Sequence, residues 1–189
     1  STDPNNNYKI SPTIFDIWMR LLAQVPNSVL WLLEGNSTAR DNLCNEAKKR
    51  GIAANRLIFA AKMPSSLHLA RHQLADLFLD TLPINAHTTA TDALWAGVPV
   101  VTCMGQTFAS RVAASVLAAV GLSELVTDNL ADYEALALNL ANSATKLAAI
   151  KHKLQYRAHS PLFNINQHRT AIEAAYKQMY WRYQQGMTP

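Results

Sequence analysis

Only two cysteines occur in 189 residues, Cys44 and Cys103, and no Cys-x-x-Cys pair exists, which excludes a disulfide framework and a zinc ribbon. No apolar run nears the roughly 20 residues that span a bilayer, and no basic-then-apolar leader opens the chain. These absences predict a cytoplasmic protein with no membrane partner. Gly-x-Gly-x-x-Gly, the Walker sequence and the Gly-x-Ser-x-Gly elbow are all missing, so dinucleotide, P-loop and serine-hydrolase readings have no motif to rest on. There is no Asp-x-Asp pair either, and the carboxylates are too scattered to cradle a metal. His68 and His72 have a zinc-compatible spacing, but no Glu and no further ligand is in register. Neither a metal nor a cofactor is therefore expected. Basic residues are dispersed, apart from Lys48-Lys49-Arg50 at a helix end, and the net charge is only +4. That is no footprint for nucleic acid.

What is present is an ordinary globular composition, 49% apolar and 16% charged, in a chain long enough for one well-buried domain. It opens on Ser1-Thr2-Asp3-Pro4 without a Met, which reads as the start of a piece of something longer. Ser11-Pro12 is a helix-start signal, and Ile14, Ile17, Trp18, Leu21, Leu22 and Val25 then share one face. Val29 to Leu33 follows as a continuous apolar run, the signature of a strand covered on both sides. A helix capped at Ser37-Thr38 and closed by Gly51 comes next, then a strand at Arg56 to Ala60.

The alternation continues with a helix from Pro64 to about Ala75, a strand at Leu77 to Asp80, a helix from Thr89 to Ala96 and a strand at Val98 to Thr102. One helix is expected from Phe108 to Val120, with a short strand at Leu125-Val126, after which helices dominate: Leu130 to Ala141, Ala144 to Tyr156 and Ile165 to Tyr183. The fold class this implies is α/β: a parallel, doubly wound, Rossmann-like sheet with helices on both faces and a helical C-terminal extension. The last helix carries Tyr176, Met179, Tyr180, Trp181 and Tyr183, a stripe suited to packing on a neighbouring body.

Ligands of such sheets sit beyond the carboxyl ends of the strands. There the sequence places His87-Thr88-Thr89 between a strand and a helix, where unpaired N–H groups and the helix dipole favour a phosphate. The competing reading is a capping box, with Thr89 and Asp92 serving only their own helix. Lys9 is the cation that would offset a diphosphate at this position, and the Gly105-Gln106-Thr107 loop would flank the same crevice. His68 and Arg71 share a helix face from which both could reach a base.

Tyr8-Lys9-Ile10, Val25 to Leu33, Gln73-Leu74-Ala75-Asp76, Leu79-Asp80-Thr81, His87-Thr88-Thr89, Asp92 to Pro99, Ala109 to Ser115 and Ser160 to Asn164 together resemble the catalytic region of protein O-GlcNAc transferases and SPINDLY-like glycosyltransferases. The resemblance runs along nearly the whole chain. It implies the second domain of a GT-B fold, with residues 1–158 as the sugar-nucleotide-binding domain and residues 159–189 as a helical extension packing on it. Tetratricopeptide repeats and the first GT-B domain would precede it in the full-length chain.

The implied partners are a UDP-sugar and an acceptor protein, and the implied reaction is metal-independent transfer of GlcNAc from UDP-GlcNAc to Ser or Thr with inversion. Carried over by motif, Lys9 is the catalytic candidate and contacts the diphosphate with Thr88 and Thr89. Asp92 holds the ribose, His68 and Arg71 address the uracil, and His87 opens the loop. Asn6 stands where the animal enzymes have Gln, and Ser65 where they have a ribose-contacting Lys. The alternatives are a GDP-fucose-dependent O-fucosyltransferase of the SPINDLY type, against which His87 argues, and a non-catalytic interaction domain with a vestigial site.

Overall fold

The computed structural model describes residues 9–187, so the expectation for Asn6 lies outside the described residues. α1 (Pro12–Gln24) begins as its sequence predicts: the Ser11 side chain accepts from the Ile14 N–H, and Pro12 occupies the first turn, where no N–H is needed. Its far end is closed by Arg56, whose guanidinium donates to the carbonyls of Leu22, Val25 and Ser28 at 2.8–2.9 Å. The orphan carbonyls that every helix leaves are thereby satisfied from outside the helix. Ile14, Phe15, Ile17, Trp18, Met19, Leu21 and Leu22 are all buried, so α1 contributes more than one stripe to the core.

β1 (Leu30–Leu33) pairs in parallel with β2 (Leu57–Ala60), joined by α2 (Ser37–Lys49), which is capped by Asn36 rather than by Ser37 or Thr38. α3 (Ser65–His72) ends three residues before Ala75, its last carbonyls being taken by the turn through Gln73, Leu74 and Ala75. β3 (Phe78–Leu79), β4 (Val100–Cys103) and β5 (Val126–Thr127) form a second parallel group in the order β3-β4-β5. β4 is the central strand and is buried along its whole length. α4 (Thr88–Trp95) connects β3 to β4, and α5 (Val112–Ala119) leads towards β5. A cavity of about 770 Å3 lies between the two strand groups, lined by Trp18, Leu32, His68, Phe78 and Ala137 among others. The expected α/β class, parallel strands flanked by helices with a helical C-terminal end, is what is found.

One more local expectation is corrected. The helix foreseen over Phe108 to Val120 is broken: residues Phe108–Ser110 form a 3-10 turn, and α5 starts only at Val112. Thr107 and Ser110 bind each other's backbone in a reciprocal cap, and the Gly105 N–H closes on the Ser110 carbonyl at 2.9 Å, which bends the chain before the helix can begin. Gly105 has to be small here, since a Cβ on it would stand 2.7 Å from that of Ser110.

α6 (Leu130–Ala141) and α7 (Ala144–Gln155) complete the layer packed on β4 and α1. From α6, Tyr133 is fully buried; its hydroxyl accepts from Trp18 Nε1 at 3.2 Å and donates to the Asp80 carbonyl at 2.9 Å. This one group ties α1, α6 and the end of β3 together. Tyr133→Phe leaves the indole N–H and that carbonyl without it in the core, and the expected loss is about 1–3 kcal/mol, read from the urea midpoint.

Residues Arg157–His159 and Pro161–Phe163 are short 3-10 turns laid against α4. Arg157 Nε donates to the Trp95 carbonyl, its guanidinium lies 5.5 Å from the Trp95 ring centroid, and Phe163 packs on the other ring contact at 4.9 Å. α8 (Ile165–Gln184) touches the rest chiefly through Pro161–Phe163 and has no buried residue. Ile165, Ile172, Tyr176, Met179, Tyr180 and Tyr183 are exposed along it.

Candidate functional site

The turn between β3 and α4 is where the predicted residues gather. α4 starts at Thr88 with His87 as its N-cap residue, and no side chain caps it. Thr89 therefore lies inside the first turn, and the capping box expected from Thr89 and Asp92 does not form. The first N–H groups of such a helix have no partner within it, and its dipole adds partial positive charge at the same end. Thr88 is exposed and Thr89 buried. Lys9 Nζ donates to the Asn85 carbonyl at 3.2 Å, which brings the amine from the leading segment onto this turn.

His87 is half-buried, with Nε2 3.5 Å from the Ala109 carbonyl and its ring edge-on to Phe108. The same Ala109 carbonyl accepts from the Asn85 N–H at 2.9 Å. The turn through Ala109, after β4, is thus fastened to the loop after β3.

His68 and Arg71 stand on α3, which packs against α4. Arg71 donates from Nη2 to His68 Nδ1 at 3.1 Å and from Nη1 to the Ala61 carbonyl at 2.8 Å. A guanidinium can only donate, so Nδ1 is the acceptor and the ring proton sits on Nε2. That Nε2–H is buried and has no hydrogen-bond partner among the described residues. Burial, and after it the His72 ring and the Arg71 charge, lower the His68 pKa, while Asp92 opposes them. The imidazole is consequently held neutral at physiological pH. Asp92, on α4, is half-buried and within electrostatic reach of His68. The structure therefore unites Lys9 with the turn before Thr88, and His68 with Arg71 and Asp92 on the adjoining helix faces.

Two residues of this neighbourhood were not singled out from sequence. Asp80 is 1% exposed, and burial pushes its carboxyl up to about 7 against hydrogen bonds from Thr102, Ala86 and Thr81 that favour the ionised form. Asn85 is wholly buried and donates from Nδ2 to the Thr81 carbonyl at 2.9 Å. The signal for the first was available: a carboxylate ends the apolar run Leu77-Phe78-Leu79 directly before a loop. Among the described residues no three His, Cys, Asp or Glu side chains cluster as a metal site, and no helix is long and apolar enough to cross a membrane.

A helix start beyond a parallel strand, a lysine laid on the turn before it and a histidine with an unmatched N–H on the adjoining helix make up the candidate site of this α/β domain. The model of Glycosyl transferase family 41 matches residues 2–172, and the chain belongs to that family. It is 38% identical over 184 residues to the UDP-N-acetylglucosamine--peptide N-acetylglucosaminyltransferase of Caenorhabditis elegans, covering 97% of this chain and 16% of that protein. To the probable enzyme of that name, SEC, of Arabidopsis thaliana it is 36% identical, covering 98% and 19% respectively. The Arabidopsis protein SPINDLY is 31% identical, at 98% and 21%. The chain thus spans about a fifth of the length of these relatives. A solved structure of a mutant Thermobaculum terrenum O-GlcNAc transferase superposes with a TM-score of 0.85 at 31% identity, over 95% of this chain and 37% of that one.

Proposed function

We propose that this chain is the donor-binding part of a protein O-GlcNAc transferase, holding UDP-GlcNAc while GlcNAc passes to a Ser or Thr hydroxyl of an acceptor protein. The observation that carries the reading is Lys9, whose amine rests on the turn leading into the uncapped start of α4. Transfer of the sugar leaves negative charge on the departing diphosphate. Donors fixed there beforehand stabilise the transition state more than the ground state, so Lys9 and the N–H groups around Thr88 and Thr89 do the work that a divalent cation does elsewhere. We assign metal-independent transfer on that basis, and inversion on the family resemblance alone.

At the other end of the nucleotide, the unmatched Nε2–H of His68 is aimed to donate to a carbonyl of uracil, with Arg71 fixing the tautomer. Asp92 accepts from the ribose hydroxyls. The acceptor protein supplies the hydroxyl, and we assign its base, the first GT-B domain and the tetratricopeptide repeats to the rest of a longer chain, so that this part binds donor without turning it over. We take residues 1–158 as the binding domain, residues 159–189 as its extension, and the cytoplasm as the setting.

Titration calorimetry with UDP is expected to show binding in the region of 1 mM, because a cleft between two domains is only half present. His68→Ala is expected to weaken UDP and uridine alike by about tenfold, the lost hydrogen bond being on the base. GDP competing as well as UDP would point instead to a GDP-fucose donor, and the absence of any heat or NMR shift with UDP would overturn the nucleotide reading altogether.

A further inference from the structure

Beneath the turn that carries the candidate site lies the buried carboxylate of Asp80. We propose that Asp80 is a positioning residue of this site: sealed at the end of β3, it holds the 81–87 turn in the shape that presents Lys9 and the start of α4 to a diphosphate. The inference rests on the nucleotide reading above.

The polar groups of Asp80 are committed to the turn, to β4 and to α6. Oδ1 accepts from the Thr81 N–H at 2.8 Å and from the Ala86 N–H at 2.6 Å, so it spans the turn from its first residue to the one before the N-cap His87. Oδ2 accepts from the Thr102 hydroxyl of β4 at 2.6 Å. The backbone N–H of Asp80 donates to the Val101 carbonyl at 3.0 Å, and its carbonyl accepts from Tyr133. The turn so anchored is tightened by Thr81 Oγ1 donating to the Ile84 carbonyl at 2.6 Å and by Asn85 Nδ2 donating to the Thr81 carbonyl. Its last link, the Asn85 carbonyl, is the seat of Lys9. Removing the Asp80 carboxylate therefore frees, in one step, the N–H of Thr81, whose carbonyl holds the Asn85 side chain, and the N–H of Ala86, between the residue that seats the amine and the helix cap.

Charge and shape make opposite predictions for this residue. An anion behind a diphosphate seat opposes binding through its field, so a gain in UDP affinity on its removal would mark a purely electrostatic presence. A brace acts the other way: misplacing preset donors by about an ångström costs binding and rate out of proportion to the distance. Burial keeps Asp80 from touching the ligand, so whatever it contributes passes through the turn.

The test compares UDP with uridine, which lacks the diphosphate, on the whole chain. With Asp80→Ala, UDP affinity is expected to fall by at least about tenfold, with uridine within about twofold of the unaltered chain. Asp80→Asn keeps the size and one acceptor while losing the charge, and is expected to restore UDP binding to within about threefold. Tighter UDP binding in both variants, or equal loss of UDP and uridine, overturns the proposal. Should Asp80→Ala fail to fold, amide exchange in Asp80→Ser, whose hydroxyl is too short to span the turn, decides: a faster Ala86 N–H with unchanged Val100 and Val101 supports the brace, and an unchanged Ala86 refutes it. An unaltered chain that binds neither UDP nor pyrophosphate sinks the nucleotide reading, whereas one that binds UDP while Asp80→Ala is indifferent sinks the role of Asp80 alone.

Discussion

Replacing Lys9 with Ala in the intact enzyme is expected to slow transfer from UDP-GlcNAc by two to three orders of magnitude, about 3–4 kcal/mol of barrier. The effect is large because the amine acts where charge develops rather than where substrate is merely held. It stands on the turn before α4, next to N–H groups that the helix leaves without a partner of its own. The loss should fall on kcat more than on the KM for the acceptor, since the acceptor hydroxyl lies on the other side of the sugar. Steady-state rates of the Lys9→Ala and Lys9→Arg variants check this, and a drop confined to KM for the donor would show that Lys9 only binds.

The second large effect is on stability against pH. Asp80 has its carboxyl raised from 3.8 to about 7, with burial the first cause. The folded chain then holds a proton that the unfolded chain has released, so the contribution of this group is fully present below about pH 4. It is lost as pH rises towards 7. The difference is on the order of 4 kcal/mol, and it opposes the usual carboxylate behaviour. Glu46 and Glu124, whose pKa values are lowered by their basic partners, act in the other direction, as does neutral His68. Subtracting the unfolding free energies of Asp80→Asn from those of the unaltered chain isolates the term. That difference should slope downwards between pH 4 and pH 7 and be flat above; a flat difference throughout would show that Asp80 titrates as an exposed carboxylate does.

The parts of this structure that the sequence made legible are those written in local terms. Ser11-Pro12 and the apolar spacing of α1 fix that helix before any tertiary contact is considered, whereas the apolar run Val29 to Leu33, read as a strand covered on both sides, forms β1 but leaves Val29 and Trp31 exposed. The parts that were not legible depend on partners distant in the chain. Thr89 and Asp92 have the spacing of a capping box, yet the helix begins two residues earlier than that box requires, because His87 takes the cap position in the turn anchored by Asp80. The break at residues 108–110 is a matter of Ser110 reaching back to Thr107 and Gly105, which helical periodicity cannot report. For the site, the histidines, the lysine and the threonines were visible as residue types beyond strand ends. The brace beneath them was not, because a buried aspartate in an apolar run carries no periodic signature.

The clasp of Arg157 and Phe163 on Trp95 has a bearing on how the chain can be shortened. Trp95 closes the same eight-residue helix whose opening is the proposed diphosphate seat, so a stop placed at residue 158 would strip Phe163 from that ring and loosen that opening from behind. A stop just beyond Asn164 would keep the clasp and discard the greasy α8 rod instead. The trimmed product would be the better-behaved reagent for crystallisation and NMR, with its nucleotide pocket intact.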